Sequence, residues 1–147
     1  MSPKDYQSAS VSGASPAQLV CMLYDQVVRD LSLAIKYIET GDVEARTAEV
    51  KHALLVLQQL EAFLDMANGG DTAANLSRFY TLARGSIIHA QAKVDPALFR
   101  QQIALFMDVR SAWEQVAGAG PTAANEASSK PEEADGTAGG HSLSCSV

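Results

Sequence analysis

The chain has 147 residues, with 47% apolar and 19% charged side chains and a net charge of −6. That is enough apolar material for one packed core, so the chain is not disordered throughout. The acidic balance excludes a global basic field for nucleic acid or anionic lipid.

The first residues, Met1-Ser2-Pro3-Lys4-Asp5, carry no apolar stretch of the kind a secretory signal needs. No apolar run reaches the ~18 residues of a membrane span. Cys21 and Cys145 lie far apart and make neither a C-x-x-C pair nor a disulfide framework. A reducing cytosol is the expected setting.

Residues 1–14 read as an extended arm whose larger apolar side chains are Tyr6 and Val11. Ser15-Pro16-Ala17-Gln18 combines a hydroxyl cap, a proline at the first helical position and a capping-box glutamine. Helical spacing follows at Val20, Leu23, Tyr24, Val27, Leu31, Ala34, Ile35 and Ile38, and Gly41 can close the helix. Asp42 caps a second helix with Val50, Ala53, Leu57, Leu60, Leu64 and Ala67 inward, stopped by Asn68-Gly69-Gly70. Asp71 or Thr72 caps a third, with Leu76, Phe79, Tyr80, Ala83, Ile87 and Ala90 on one face. Asp95-Pro96 opens a fourth, presenting Phe99, Ile103, Phe106, Val109, Trp113 and Val116.

The expected helices span about residues 15–40, 42–68, 71–93 and 95–117. Short connections force antiparallel neighbours, so the expected fold is all-α: an up-down-up-down four-helix bundle over 15–117. From Gly118 the chain turns to Gly, Ser, Ala and acidic residues. Residues 118–147 are therefore expected to be a disordered tail.

The first two helices carry more apolar residues than one core stripe uses. Leu19, Met22, Leu33 and Tyr37 form a second stripe on the first helix. Leu55, Ala62 and Met66, with Ala48, fall opposite the core face of the second. An exposed apolar strip is the mark of a binding surface, methionine suits an adaptable one, and an amphipathic helix is its natural ligand. The competing reading is a bundle that homo-oligomerises, as a dimer for example, through these same stripes.

Chemistry is scarce. Glu49-x-x-His52 has the spacing of a di-iron ligand pair, but such bundles need two of these motifs and two more glutamates. Three residues before His89 stands Ser86, and His52 lies towards the polar side of its helix, where a solvated histidine is expected. No phosphate loop, dinucleotide fingerprint or nucleophile elbow occurs. Cys21 reads as a buried thiol, Trp113 as a core anchor, and Asp25 with Arg29 as an i,i+4 pair. No catalysis, metal or cofactor is expected.

One ordered set of residues resembles the FliS family of flagellin-specific export chaperones. It begins Tyr6-x4-Val11-x2-Ala14-Ser15-Pro16-x2-Leu19-x2-Met22-Leu23-Tyr24-Asp25 and continues with Val56-Leu57-x2-Leu60. Then come Gly69-Gly70, Ala74-Asn75-Leu76-x2-Phe79-Tyr80, Ala90, Asp95 and Arg110-x-Ala112-Trp113-x-Gln115. The resemblance covers residues 6–117. It implies a cytoplasmic, non-enzymatic bundle that binds the C-terminal segment of flagellin, prevents premature polymerisation and delivers the client to the flagellar type III export gate. It also implies that the arm, through Tyr6 and Val11, plugs part of the client site. Thr81, Leu82, Gly85 and Ser86 depart from the family pattern, and Gln91 stands where asparagine is usual.

Overall fold

A computed structural model describes residues 13–129, with side chains described through Gly118. Four helices follow one another: α1 Pro16–Thr40, α2 Val43–Ala62, α3 Gly70–Lys93 and α4 Pro96–Ser129. No strand occurs among the described residues. The all-α four-helix bundle is therefore the fold.

Local chemistry sets most of the boundaries. The Ser15 hydroxyl accepts the Gln18 N–H at 3.1 Å, and the Gln18 amide oxygen accepts the Ser15 N–H at 2.7 Å. Gly41 ends α1 at φ 74°, its N–H bonded to Ile38 and that of Asp42 to Tyr37. The Asp42 carboxylate then accepts from the Ala45 N–H at 3.0 Å and starts α2. Asp95 accepts from the Ala97 N–H at 2.9 Å, with Pro96 first in α4.

Three boundaries differ from expectation. α2 stops at Ala62, not 68, because the Asp65 carboxylate draws the Asn68 N–H (3.1 Å) and amide (3.0 Å) into a separate turn. Ala67, expected in the core, is therefore exposed in a loop. α3 begins at Gly70 with Gly69 as its cap and no side-chain cap bond, so neither Asp71 nor Thr72 caps it. Asp71 instead places its charge in the first turn, and Thr72 is buried. α4 continues past 117 to Ser129, through a stretch expected to begin the tail. Alanines at 117, 119, 123 and 124 supply the helix preference that Gly118, Gly120 and Pro121 weaken. Residues 130–147 lie outside the described part.

α1 is the central element and packs broadly on both α2 and α4; narrower α2–α3 and α3–α4 seams close the ring. Cross-helix bonds run in opposite sequence order on paired helices, as antiparallel packing demands. Arg46 reaches Gln91 (2.9 Å), while Arg84 grips Glu61 with two bonds of 2.9 and 2.8 Å. The core is an aromatic layer: the Tyr24 ring stands edge-on to Tyr80 (6.3 Å) and Phe106 (5.4 Å), and Phe79 lies 5.0 Å from Phe106. Trp113 is buried in the same cluster, as expected.

Candidate functional site

At the end of the bundle where α1 starts and α2 stops, the helices leave a cleft of about 210 Å³. Pro16, Leu19 and Val20 of α1 form one wall, and Leu60 of α2 with Phe63 and Leu64 of the next loop form the other. Tyr80 of α3 and Trp113 of α4 complete the lining. The early stop of α2 creates this geometry: Phe63 and Leu64 bond back to Leu60 and Glu61 in a tight last turn, which brings both side chains to the cleft. Phe63 remains partly exposed, and Met66 in the same loop is 58% exposed.

On the other flank of α1, Ala14, Gln18, Cys21 and Met22 face Arg110, Glu114, Ala117 and Gly118 across an open groove of about 520 Å³. Its rim is polar. Asp25 accepts two hydrogen bonds from Arg110, one of 3.2 Å, and Arg110 also contacts Glu114 at 3.2 Å. Asp25 thus pairs with α4, not with Arg29 on its own helix. Burial pushes the Cys21 thiol up.

The residues expected to form one outward apolar strip are divided by the structure. Leu19 is buried in the cleft wall, because the end of α2 and its loop fold over the first turns of α1. Met22 lines the open groove and is half-buried; Leu33 and Tyr37 are half-buried on the distal half of α1. Leu55 does point outward, 62% exposed, but along its stripe it stands among exposed Ala48, Lys51, Gln58 and Ala62. On α2 Lys51 and Gln58 thus stand between the exposed apolar residues, while Leu19, Phe63 and Leu64 meet at the cleft. Tyr6 and Val11 lie outside the described residues. Periodicity assigned Leu60, Tyr80 and Trp113 to the core and left Phe63 in a helix. The pair Phe63-Leu64 just before Asp65 was the available sign of an apolar helix end.

His52 is not the solvated histidine expected. Its Nδ1 lies 2.6 Å from the carboxylate of Asp30, which is 1% exposed and also accepts from the Gln26 amide at 2.9 Å. Desolvation, then the charge of Asp30, pushes the Glu49 carboxyl up. Glu49 and His52 thus belong to a polar cluster at the α1–α2 seam. Among the described residues no three His, Cys, Asp or Glu side chains are grouped to hold a metal ion. Among them, too, no helix is long and apolar enough to cross a membrane.

The decisive comparison is at family level. The family model of the flagellar protein FliS matches residues 2–120. The chain belongs to the FliS family. It is 31% identical over 109 residues to the flagellar secretion chaperone FliS of Salmonella typhimurium, covering 74% of this chain and 81% of that protein. It is 29% identical to the Vibrio cholerae FliS (74% and 79% covered) and 27% identical to that of Bacillus subtilis (75% and 81%). The residues expected to depart from the family pattern are not among those lining the cleft. Thr81, Leu82 and Gly85 are exposed on α3 and Ser86 is half-buried. Gln91 uses its length to bridge Arg46 and, at 3.1 Å, the Thr47 hydroxyl.

Proposed function

We propose that this FliS chain is a non-enzymatic cytoplasmic chaperone that holds the C-terminal segment of flagellin. In this reading it prevents premature polymerisation and hands the client to the flagellar type III export gate. The observation that carries the reading is the apolar cleft at the α1/α2 end. Its walls are aliphatic and aromatic, its lining includes the partly exposed Phe63, and it suits an apolar side chain of a partner segment. Membership of a family whose relatives are named flagellar secretion chaperones supports the choice of client.

Leu19, Ala62 and Met66 are the expected residues nearest this end. Met22 extends the surface round α1, while Leu33, Tyr37 and Leu55 would serve a longer client that wraps along the bundle. Tyr6 and Val11 of the arm act as the plug, competing for the cleft from an effective concentration of order mM. Such competition, together with the entropy of ordering the client, keeps binding reversible.

Isothermal titration with a synthetic peptide of the cognate flagellin C-terminal segment tests this reading. The wild-type chain is expected to bind it one-to-one. Phe63→Asp, at a partly exposed position, should weaken binding at least about tenfold while far-UV circular dichroism stays unchanged. Unaltered affinity in that variant would remove the cleft from the function.

A further inference from the structure

The outward face of α3 takes no part in the cleft. After Asp71 in its first turn the helix has no carboxylate, yet it carries Arg78, Arg84 and Lys93 in a chain of net charge −6. Arg84 is committed to Glu61 on α2. Arg78 and Lys93 are exposed and make no ion pair among the described residues. Between them Leu82 is 64% and Ile88 51% exposed. Leu82, Gly85 and Ile88 are spaced by three, so the two apolar side chains flank the glycine on the side turned away from the buried Ala83, Ile87 and Ala90.

Gly85 is helical, a Cβ there would meet nothing, and glycine lowers helix stability relative to alanine. Nothing inside the bundle therefore requires it. A notch of bare backbone between two apolar shoulders lets a second helix come close. Charge then selects the occupant. The molecule as a whole repels an acidic partner, while this face attracts one. A second copy laid face to face would oppose cation to cation. We propose that the outer face of α3, from Arg78 to Lys93, docks an acidic amphipathic helix of a partner protein. The apolar stripe of that helix crosses at Gly85 between Leu82 and Ile88, and its carboxylates meet Arg78 and Lys93. Tyr80 reaches the cleft from the inner side of the same helix, so this partner and an occupant of the cleft can be held at once. Docking here does not depend on what the cleft binds.

The probe is a pair of synthetic helices of about 20 residues with one leucine stripe, their polar positions glutamate in one and lysine in the other. Each is titrated calorimetrically into the full-length chain at low and at high salt, with helicity checked for every variant. The glutamate helix is expected to bind, more weakly as salt rises, and the lysine helix to show no measurable binding. Leu82→Asp, and Arg78→Glu combined with Lys93→Glu, should each weaken the glutamate helix at least about tenfold. Gly85→Leu should do the same by filling the notch. That substitution favours the helix, so lost binding there is not lost folding. Phe63→Asp in the cleft should leave the affinity within about twofold. Equal binding of the two probes overturns the proposal, as does unchanged affinity in Leu82→Asp and Gly85→Leu. Loss of probe binding in Phe63→Asp overturns it by moving the site to the cleft. A dimer seen by sedimentation that Leu82→Asp dissociates overturns it as well, since the face then belongs to a second copy.

Discussion

Val94 takes φ 53° at the end of α3, alone among the described non-glycine residues in having a positive φ. A β-branched side chain there crowds its own carbonyl, at a cost of about 1–2 kcal/mol. The turn holds it in place: the Val94 N–H bonds to Gln91 and that of Asp95 to Ala90, with Pro96 immediately after. Val94→Gly should therefore raise stability by about 1 kcal/mol, less whatever glycine adds to the entropy of the unfolded chain. A urea titration reads the difference, and a lower midpoint would mean that the side chain's packing outweighs its strain. The sequence hid this position, because nothing in Lys93-Val94-Asp95 announces a left-handed residue. It hid the partners of Asp25 and His52 for a related reason. Arg110 and Asp30 are 85 and 22 residues distant, and only packing brings them close. The core residues Tyr24, Leu31, Ile87, Phe99 and Phe106 were legible, since helical spacing alone turns them inward.

At the scale of elements, the caps explain both what could be read and what could not. Ser15, Gly41, Asp42 and Asp95 act through bonds to residues within five positions, so their signals are local and visible in the sequence. The end of α2 depends on Asp65 diverting the backbone, and that displaced Phe63 and Leu64 from a presumed helix into the candidate site. The α1–α2 seam carries a second concealed feature, the cluster of Gln26, Asp30, Glu49 and His52. Glu49 is raised by desolvation and by Asp30, with His52 and Arg29 opposing. A carboxyl raised in the folded state binds its proton more tightly there than in the unfolded chain. Its contribution therefore weakens the fold as pH rises from the ordinary glutamate range through the raised value. Glu49→Gln should raise the melting temperature at neutral pH, with the gain shrinking towards zero as pH falls below that range. Equal gains at pH 4 and pH 7 would mean that the charge is not responsible.

Across the whole molecule the packing is uneven. α1 is buried between α2 and α4, whereas α3 is held by narrower seams and by polar clasps such as Arg84–Glu61 and Arg46–Gln91. Gly85 sits in the middle of α3, exposed, where a Cβ would meet nothing, and it lowers the local helix preference by about 1 kcal/mol relative to alanine. Leu82, 64% exposed, and Ile88, 51% exposed, contribute little burial on the same helix. Local opening is governed by buried apolar contact, so the amide protons of α3 should exchange with solvent faster than those of α1, and its centre near Gly85 fastest among its interior turns. Gly85→Ala should slow exchange there and leave α1 unchanged. Hydrogen exchange read by mass spectrometry or NMR checks both statements. The ordering matters for the cleft, because Tyr80 is its α3 wall. A client that binds across Leu19, Phe63 and Tyr80 ties α3 to the rigid α1 and should slow α3 exchange more than that of any other helix. Protection confined to α1 and α2 would mean that the client lies elsewhere on the bundle.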